Sequence, residues 1–495
     1  DFTQVDTTAT QDTVNVADTL QVAEPAGIRC SLLDPPPNRG GSFTLALVET
    51  VDPTHAPFPT NSSEALVFGG LYETLVTIDC DGQILPGLAE AWSLRSDDRI
   101  WTFQLRENAA FSDGQPITAA AVVASWRESY ARNVGKSWEN PWTFLDPEAV
   151  TILDRRRLRV TLKYASGPLP QLFAHPALAV ASFGVQSSWP VGSGPLQIID
   201  RSREGKMDLW MAANVNYPGK VRNDIELRFL IRPGADPRDL LGDEIDLMLV
   251  RDLDMVDYAA SIPEFRVKPL PWDKLYLAVS VPLPTSDGET RVLTDIREQI
   301  AAEVVRHDAR ANPTLKLGGG APICKLRTYT LNENRFERGS APEDSSLAIP
   351  VAYRENDPTS QSIAERLVAL TATEQAGPLP DFLAEARDYV VSPLSDDGFD
   401  TRLETANYSL FILGLPKRFM NTCHQAGALG RSLKWILPDP KDQLDASDVF
   451  NRTVIPLVAT RGYLVYRPAI TGVALSWDGA IRLEQMGTYQ EKGVP

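Results

Sequence analysis

The side chains able to do acid–base, nucleophilic or metal chemistry are scattered along this chain. Its four histidines, His55, His175, His307 and His424, stand at no spacing that would bring two imidazoles to one metal ion. His424 beside Cys423 is the strongest metal candidate, and no further ligand flanks it. The strained Gly-x-Ser-x-Gly elbow of a hydrolase, the His-Glu-x-x-His zinc motif, the Walker phosphate loop and the Gly-x-Gly-x-x-Gly dinucleotide turn are all absent. Gly318-Gly319-Gly320 lacks the Lys-Ser/Thr that would follow in a phosphate cradle and reads as a loop. Carboxylates are plentiful, but none pairs into an evident acid and base. On these residues the chain reads as a protein that binds, with no cofactor and no metal expected.

The elements that would position a binding site alternate between strand and helix. Ser42–Thr50, Trp101–Arg106, Leu158–Lys163, Ile225–Ile231 and Ser346–Tyr353 alternate apolar and polar residues as half-buried strands do. Helices are expected at Glu64–Val76, capped by Ser62 or Ser63, and at Ala119–Ala131, Thr294–Arg306 and Ser360–Thr371. Asp52-Pro53, Asp81-Gly82 and Asp113-Gly114 supply breaks and tight turns. The pattern specifies an α/β or mixed protein of more than one lobe.

Composition narrows the function class. The 495 residues carry 48 Lys+Arg against 65 Asp+Glu, a formal charge of −17, which argues against nucleic acid as a partner. No apolar run approaches the ~20 residues a spanning helix needs. Residues 1–29 are rich in Thr, Val, Asp and Gln, carry no Lys or Arg before Arg29, and read as a flexible leader. A start at Asp1 is expected to reflect either a removed export signal, with a lipid-modified Cys just before it as membrane tether, or a cut in the sequence. Cys30, Cys80, Cys324 and Cys423 allow three pairings. Cys30–Cys80 with Cys324–Cys423 is the favoured one, and buried free thiols are the alternative.

The order of several segments is more specific. Gly40-Gly41-Ser42, Asp52-Pro53, Leu71–Leu75 (LYETL), DCDGQILPGLAEAW (79–92), WTFQLRENAAFSDGQPITAAAVVASW (101–126) and GSGP (192–195) follow one another. NVNYPG (214–219), GDEIDLML (242–249), LYLAVS (275–280), TDIREQIAAEV (294–304) and IPLVATRGYLVYRPAITGV (455–473) continue the series. In this order the chain resembles the family 5 extracellular solute-binding proteins of the dipeptide, oligopeptide and nickel type that serve ABC importers.

The resemblance covers roughly 40–475 and implies a two-lobed periplasmic-binding-protein clamp (type II, large cluster C-like) with an extra subdomain on the first lobe. The implied division is 1–39 as leader or tether; 40–65, 175–273 and 455–495 as the core of lobe I; 66–174 as the extra subdomain; and 274–454 as lobe II. The chain would cross near Lys274–Ser280 and return near Val454–Tyr466, and closure about those strands would trap a ligand. The implied partners are a small-molecule or short peptide ligand and the permease subunits of the transporter, in the periplasm or at the cell surface. Ligand contacts fall by resemblance on Phe58 and Thr60 in the loop after Asp52-Pro53, on Trp138 and Trp142 of the subdomain, and on Trp272 and Tyr276 at the crossover. Leu71, Tyr72, Leu75, Leu88 and Trp92 are assigned to packing.

The chain also departs from that family. Ser280 stands where the crossover strand usually ends in Asn. Where peptide-binding members carry an Asp for the free amine of a peptide, Gly414–Arg418 places Arg418, and no acid lies between Glu404 and Asp439. An amine buried without a carboxylate would be costly, so a peptide-like or anionic solute met by Lys417 or Arg418 is favoured over a free-amine peptide. The 310–450 region is compact and irregular, so a second reading stays open: a solute-binding scaffold that serves as a sensor or structural subunit without transport.

Overall fold

The computed structural model describes residues 30–34, 40–80, 83–95, 99–133, 141–143, 145–163, 170–184, 188–200, 208–218, 224–242, 244–280, 283–284, 290–291, 315–317, 329–331, 348–372, 388–405, 410–416, 436–438, 454–476 and 480–488. Three sheets organise them.

Strand β1 (Gly41–Leu47) is the centre of the first. Its period-two pattern sends Phe43, Leu45 and Leu47 to one core and Ala46 to another. β1 lies parallel to β10 (Ile225–Ile231) on one side and to β11 (Leu247–Val250) on the other. Antiparallel β9 (Asp208–Ala213) and β8 (Leu196–Ile198) extend one edge; β23 (Tyr463–Tyr466) and β12 (Arg266–Pro269) extend the other. The helix α1 (Ser62–Leu71) covers one face, with Leu66, Val67, Phe68 and Leu71 packed against Phe43, Phe229 and Leu464. After the single turn α3 (Pro237–Leu240), α4 (Leu253–Ser261) covers the other, its Met255, Val256 and Ala259 meeting Met248 and Val465.

The second sheet is antiparallel and four-stranded, in the order β4 (Ala89–Leu94), β5 (Ile100–Leu105), β7 (Arg157–Leu162) and β6 (Leu145–Ile152). Trp101, Phe103, Leu158 and Val160 are buried there with Trp126 of α2 (Ala119–Asn133) and with Phe173. A short hairpin, β2 (Val76–Ile78) with β3 (Ile84–Pro86), precedes it.

The third sheet has six strands: β16 (Leu315–Leu317), β22 (Val454–Thr460), β13 (Lys274–Ser280), β20 (Leu410–Pro416), β18 (Ala348–Arg354) and β19 (Asp388–Leu394). Helix α5 (Pro358–Ala372) follows β18, and α6 (Asp396–Thr405) sets Phe399 edge-on against Phe411 of β20. Two ribbons, β14 (Leu283–Pro284) with β15 (Thr290–Arg291) and β17 (Tyr329–Leu331) with β21 (Ile436–Pro438), lie outside it. The cluster of buried side chains under the four-stranded sheet runs on to Leu277, Val279, Phe411 and Leu413, so the second and third sheets meet.

The first and third sheets are joined twice, side by side. The chain passes from β12 to β13 through 270–273 and returns from β22 to β23 through Arg461 and Gly462. The Asp273 N–H donates to Thr460 O at 3.1 Å and the Leu270 N–H to Gly462 O at 2.9 Å. The return follows β22, which pairs with β13 from Val454 to Thr460.

Helix α1 also corrects the expected 64–76. Its N-cap is Asn61, whose side chain accepts from the Glu64 N–H at 2.8 Å. It ends at Leu71, where Tyr72 turns extended and the chain bridges Glu73 to Val180. The helix thus spans position 66, at which the sequence reading divided lobe from subdomain. The expected helix 294–306 lies outside the described residues.

Candidate functional site

The loop after β1 is organised by one carboxylate. Glu64, fully buried in the first turn of α1, accepts from Asp52 N at 3.0 Å, Thr60 N at 2.7 Å and Thr60 Oγ1 at 2.9 Å, and lies 2.7 Å from His55 Nδ1. Asp52 caps the 3₁₀ turn Pro53–His55 through the Thr54 N–H at 2.8 Å. These bonds hold Pro57–Thr60 in place. Phe58 is half-buried, its ring 5.5 Å from that of His175. Thr60 spends its hydroxyl on Glu64, so its role in the structure is to shape the loop.

Charged and aromatic side chains gather where the two crossings run together. Arg251, just past β11, grips the Asp273 carboxylate with both Nη atoms, Nη1 at 3.1 Å. The next residue, Lys274, places its ammonium 2.6 Å from Asp357 Oδ2, and the Tyr276 hydroxyl donates to Asp357 Oδ1 at 2.9 Å. Asp357 Oδ1 also accepts from Ser360 N in the first turn of α5 at 3.2 Å. On the returning strand, the Arg461 guanidinium lies 4.4 Å over the Trp272 ring and 5.5 Å from that of Tyr463. Gly414, opposite Tyr276 in the β13–β20 register, leaves room for the Lys274 and Tyr276 side chains; a Cβ there would overlap both.

Burial alone would push the Asp357 carboxyl up, but the ammonium of Lys274 and the hydrogen bonds from Tyr276 and Ser360 win and hold it below the usual carboxylate value. Burial pushes the Tyr276 phenol up to about 12. A carboxyl lowered in the folded state contributes stability that is complete above its unfolded value and lost as pH falls through the folded one. Asp357→Asn is therefore expected to flatten the acid limb of stability below about pH 4. Denaturant unfolding at a series of pH values checks this; an unchanged acid limb would mean the pair is solvated.

The motifs that carried the resemblance converge at a second place. Glu73 of LYETL receives Arg106 of WTFQLR through two bonds, at 3.1 and 2.7 Å, and the hydroxyl of Tyr217 of NVNYPG at 3.1 Å. Ser193 of GSGP accepts from the Glu73 N–H at 2.9 Å, and Asn214 donates to Gly194 O at 2.9 Å. Gly192 and Gly194 pass so close to the carbonyls of Gly70 and Leu71 that a Cβ would collide with backbone. Burial works against the charge on Arg106, yet Glu73 raises its pKa above the ordinary value. This junction locks α1, the four-stranded sheet and the β8–β9 region together. Beside it, a cavity of about 150 Å³ is walled by Pro57, Pro59, Phe68 and Tyr72 and ends at Glu73 and Arg482; Arg482 is paired with Glu484 at 2.8 Å.

Of the residues singled out in the sequence, Trp272 and Tyr276 come together at the crossing, and Phe58 and Thr60 sit on the Glu64-bound loop. Trp142 lies in the core of the four-stranded sheet, 3% exposed and edge-on to Tyr130 at 5.7 Å. Trp138, Lys417 and Arg418 lie outside the described residues, as do Cys324 and Cys423. Cys30 and Cys80 form a disulfide. Sequence reasoning did not single out Arg251, Asp273, Lys274, Asp357 or Arg461; the pair Asp273-Lys274 immediately before the apolar run LYLAVS was the one local signal.

Comparison with known proteins bears on the same elements. Residues 83–280 match the family described as bacterial extracellular solute-binding proteins, family 5 Middle. The chain is 29% identical over 192 residues to the nickel-binding periplasmic protein of Escherichia coli, covering 36% of this chain and 35% of that one. It is 32% identical over 154 residues to the periplasmic oligopeptide-binding protein OppA of the same organism, covering 26% and 27%. The matched stretches therefore span about a third or less of those relatives. Fold similarity reaches much further. The structure of NikA from Brucella suis with Fe(III)-EDTA superposes with a TM-score of 0.63 at 17% identity, over 91% of this chain and 100% of that one. The murein tripeptide-binding protein MppA of E. coli gives 0.61 at 17% identity, over 91% and 99%. The fold is thus that of the two-lobed periplasmic binding proteins, and over residues 83–280 the chain is similar to the family 5 bacterial extracellular solute-binding proteins.

Proposed function

We propose that this protein is the extracytoplasmic solute-binding component of an ABC importer, working in the periplasm or at the cell surface. It captures a small organic solute, peptide-like or anionic, between two lobes and delivers it to the permease subunits without catalysis. Lobe I is built on the seven-stranded sheet with the four-stranded sheet as its extra subdomain, and lobe II on the six-stranded sheet. The observation that carries this reading is the pair of adjacent crossings, through 270–273 and 461–462, as the bonded connection between those sheets. Such a connection permits hinge closure around a ligand. Phe58, Trp272 and Tyr276 are proposed to border the cleft, with Arg418 meeting an anionic group, and a lipid at a processed N-terminus would tether the protein. Related structures hold ligands of the proposed kinds: agropinic acid in the binding protein AgaA and the dipeptide Met-Leu in a Pseudoalteromonas protein.

A thermal-shift screen against peptides, amino acids, sugars, organic acids and metal chelates tests the reading. A ligand at 100 times its Kd stabilises the folded state by about 2.7 kcal/mol, a shift well above the scatter of the method. A hit whose effect is reduced by Arg418→Glu supports capture of an anion. A flat screen on protein unfolded and refolded to strip carried-over ligand would replace transport with the scaffold role.

A further inference from the structure

The geometry points to a second binding site, for a small carboxylic acid with a compact apolar body, in the cavity that runs along α1. One wall is the helix face carrying Ala65, Phe68, Gly69 and Tyr72, spaced i, i+3, i+4 and i+7 so that all four share one side of α1. Gly69 is exposed, and a Cβ added to it would meet nothing within 4 Å, so the helix leaves open space where any other residue would intrude. Pro57 and Pro59 add rigid apolar surface. The volume of about 150 Å³ is that of a cavity able to hold a body the size of a benzene ring.

Among the described residues, two charged side chains wall the cavity, and they differ in what they have left to offer. The Glu73 carboxylate is engaged by both Nη atoms of Arg106 and by the Tyr217 hydroxyl. Arg482 gives its Nε–H to Glu484 at 2.8 Å, and its two Nη groups bond to no described residue. Each guanidinium is balanced by its own carboxylate. The ionic function left to a ligand is therefore one guanidinium edge with donors to spare, a match for the two oxygens of a carboxylate. An ammonium would instead meet the Arg106 and Arg482 guanidiniums with the Glu73 oxygens already taken. No described residue of the six-stranded sheet walls the cavity. The site thus lies on one side of the molecule, needs no closure around its ligand and does not rest on the transport reading.

The experiment is titration of the full chain with sodium benzoate, followed by calorimetry and by saturation-transfer NMR. Benzoate is expected to bind, benzamide roughly tenfold more weakly for want of the charge, and benzylamine, the same ring with the opposite charge, not detectably. Gly69→Leu puts a side chain into the open space and is expected to abolish benzoate binding. It should unfold no earlier than the parent, since Leu is the better helix former. Arg482→Met is expected to erase the preference for benzoate over benzamide. If Arg482→Met does not fold, Arg482→Lys keeps a charge beside Glu484, loses the fork and should narrow that preference. No benzoate binding at millimolar concentration, benzylamine binding as well as benzoate, or benzoate binding that survives Gly69→Leu in a folded protein would each overturn the assignment. The transport reading is tested separately: a benzoate response lost in Gly69→Leu but kept in Arg418→Glu belongs to this cavity and lends transport no support.

Discussion

Glu73→Ala is expected to destabilise the lobe that contains it by about 3–5 kcal/mol, the cost of stranding a buried charge. The carboxylate is 7% exposed, and the Arg106 side chain that grips it is 19% exposed. Removing the carboxylate leaves a guanidinium that water cannot properly solvate and takes the acceptor from the Tyr217 hydroxyl. The neutral isostere Glu73→Gln keeps the shape and loses the charge, so it should fall between parent and alanine variant. Arg106→Lys should also be damaging, since one ammonium cannot reproduce the two-bond fork. The informative measurement is a double-mutant cycle by denaturant unfolding. Adding Arg106→Met to Glu73→Ala should recover part of the loss, because an apolar residue of similar size leaves no buried charge. A loss below about 1 kcal/mol for Glu73→Ala would place the pair in the range of solvated surface bridges.

This junction also bears on how function is read from such a sequence. LYETL, WTFQLR, GSGP and NVNYPG are the stretches that make the family recognisable, and in the structure they meet one another. They specify how α1 docks on the subdomain and say little about the ligand. On the proposed function, specificity is assigned to other residues, among them the loop held by Glu64 and the aromatic groups at the crossing.

Much of the framework was legible because it depends on local periodicity. Ile225–Ile231 alternates cleanly and is a strand over those same residues. Ala119–Ala131 was readable as a helix, and two further residues extend it. What failed was decided at a distance. Helix α1 stops at Leu71 although the apolar pattern runs on to Val76, because the backbone beyond must deliver Glu73 to Arg106, 33 residues later. The contact of Trp142 with the Tyr130 ring, across the break between α2 and the four-stranded sheet, is likewise announced by no local pattern. The ion pair at the crossing was invisible for the same reason. Lys274 and Asp357 are separated by 83 residues, and no local pattern announces that a strand start and a helix cap will share a salt bridge.

Removing the disulfide with Cys30→Ser and Cys80→Ser is expected to cost about 4 kcal/mol by the chain-entropy argument for a loop of this length, as the bond spans a sequence separation of 50. Its position makes the loss more than entropic. Residues 30–34 are otherwise held by backbone bonds to the C-terminal segment: Leu475 N–H to Cys30 O at 2.8 Å, and Leu32 and Leu33 N–H to Val473 O at 2.8 and 3.0 Å. Asp79, next to Cys80, bridges to Ser476. The disulfide and these bonds thus join three stretches of chain far apart in sequence, two of which, through Thr77 and Ile78 and through Ser476, Ala480, Ile481 and Arg482, wall the cavity beside Glu73. Without it, residues 30–34 should become cleavable by protease before the rest of the lobe unfolds. Excess reductant should bring the parent down to the stability of the double variant. Reductant added to the variant then reports on Cys324 and Cys423 alone: a further fall means that they too are bonded, and no change means that they are thiols. A parent indifferent to reductant, with a double variant as stable as itself, would show that the strand pairing of 30–34 suffices and that the bond contributes little to holding the three stretches together.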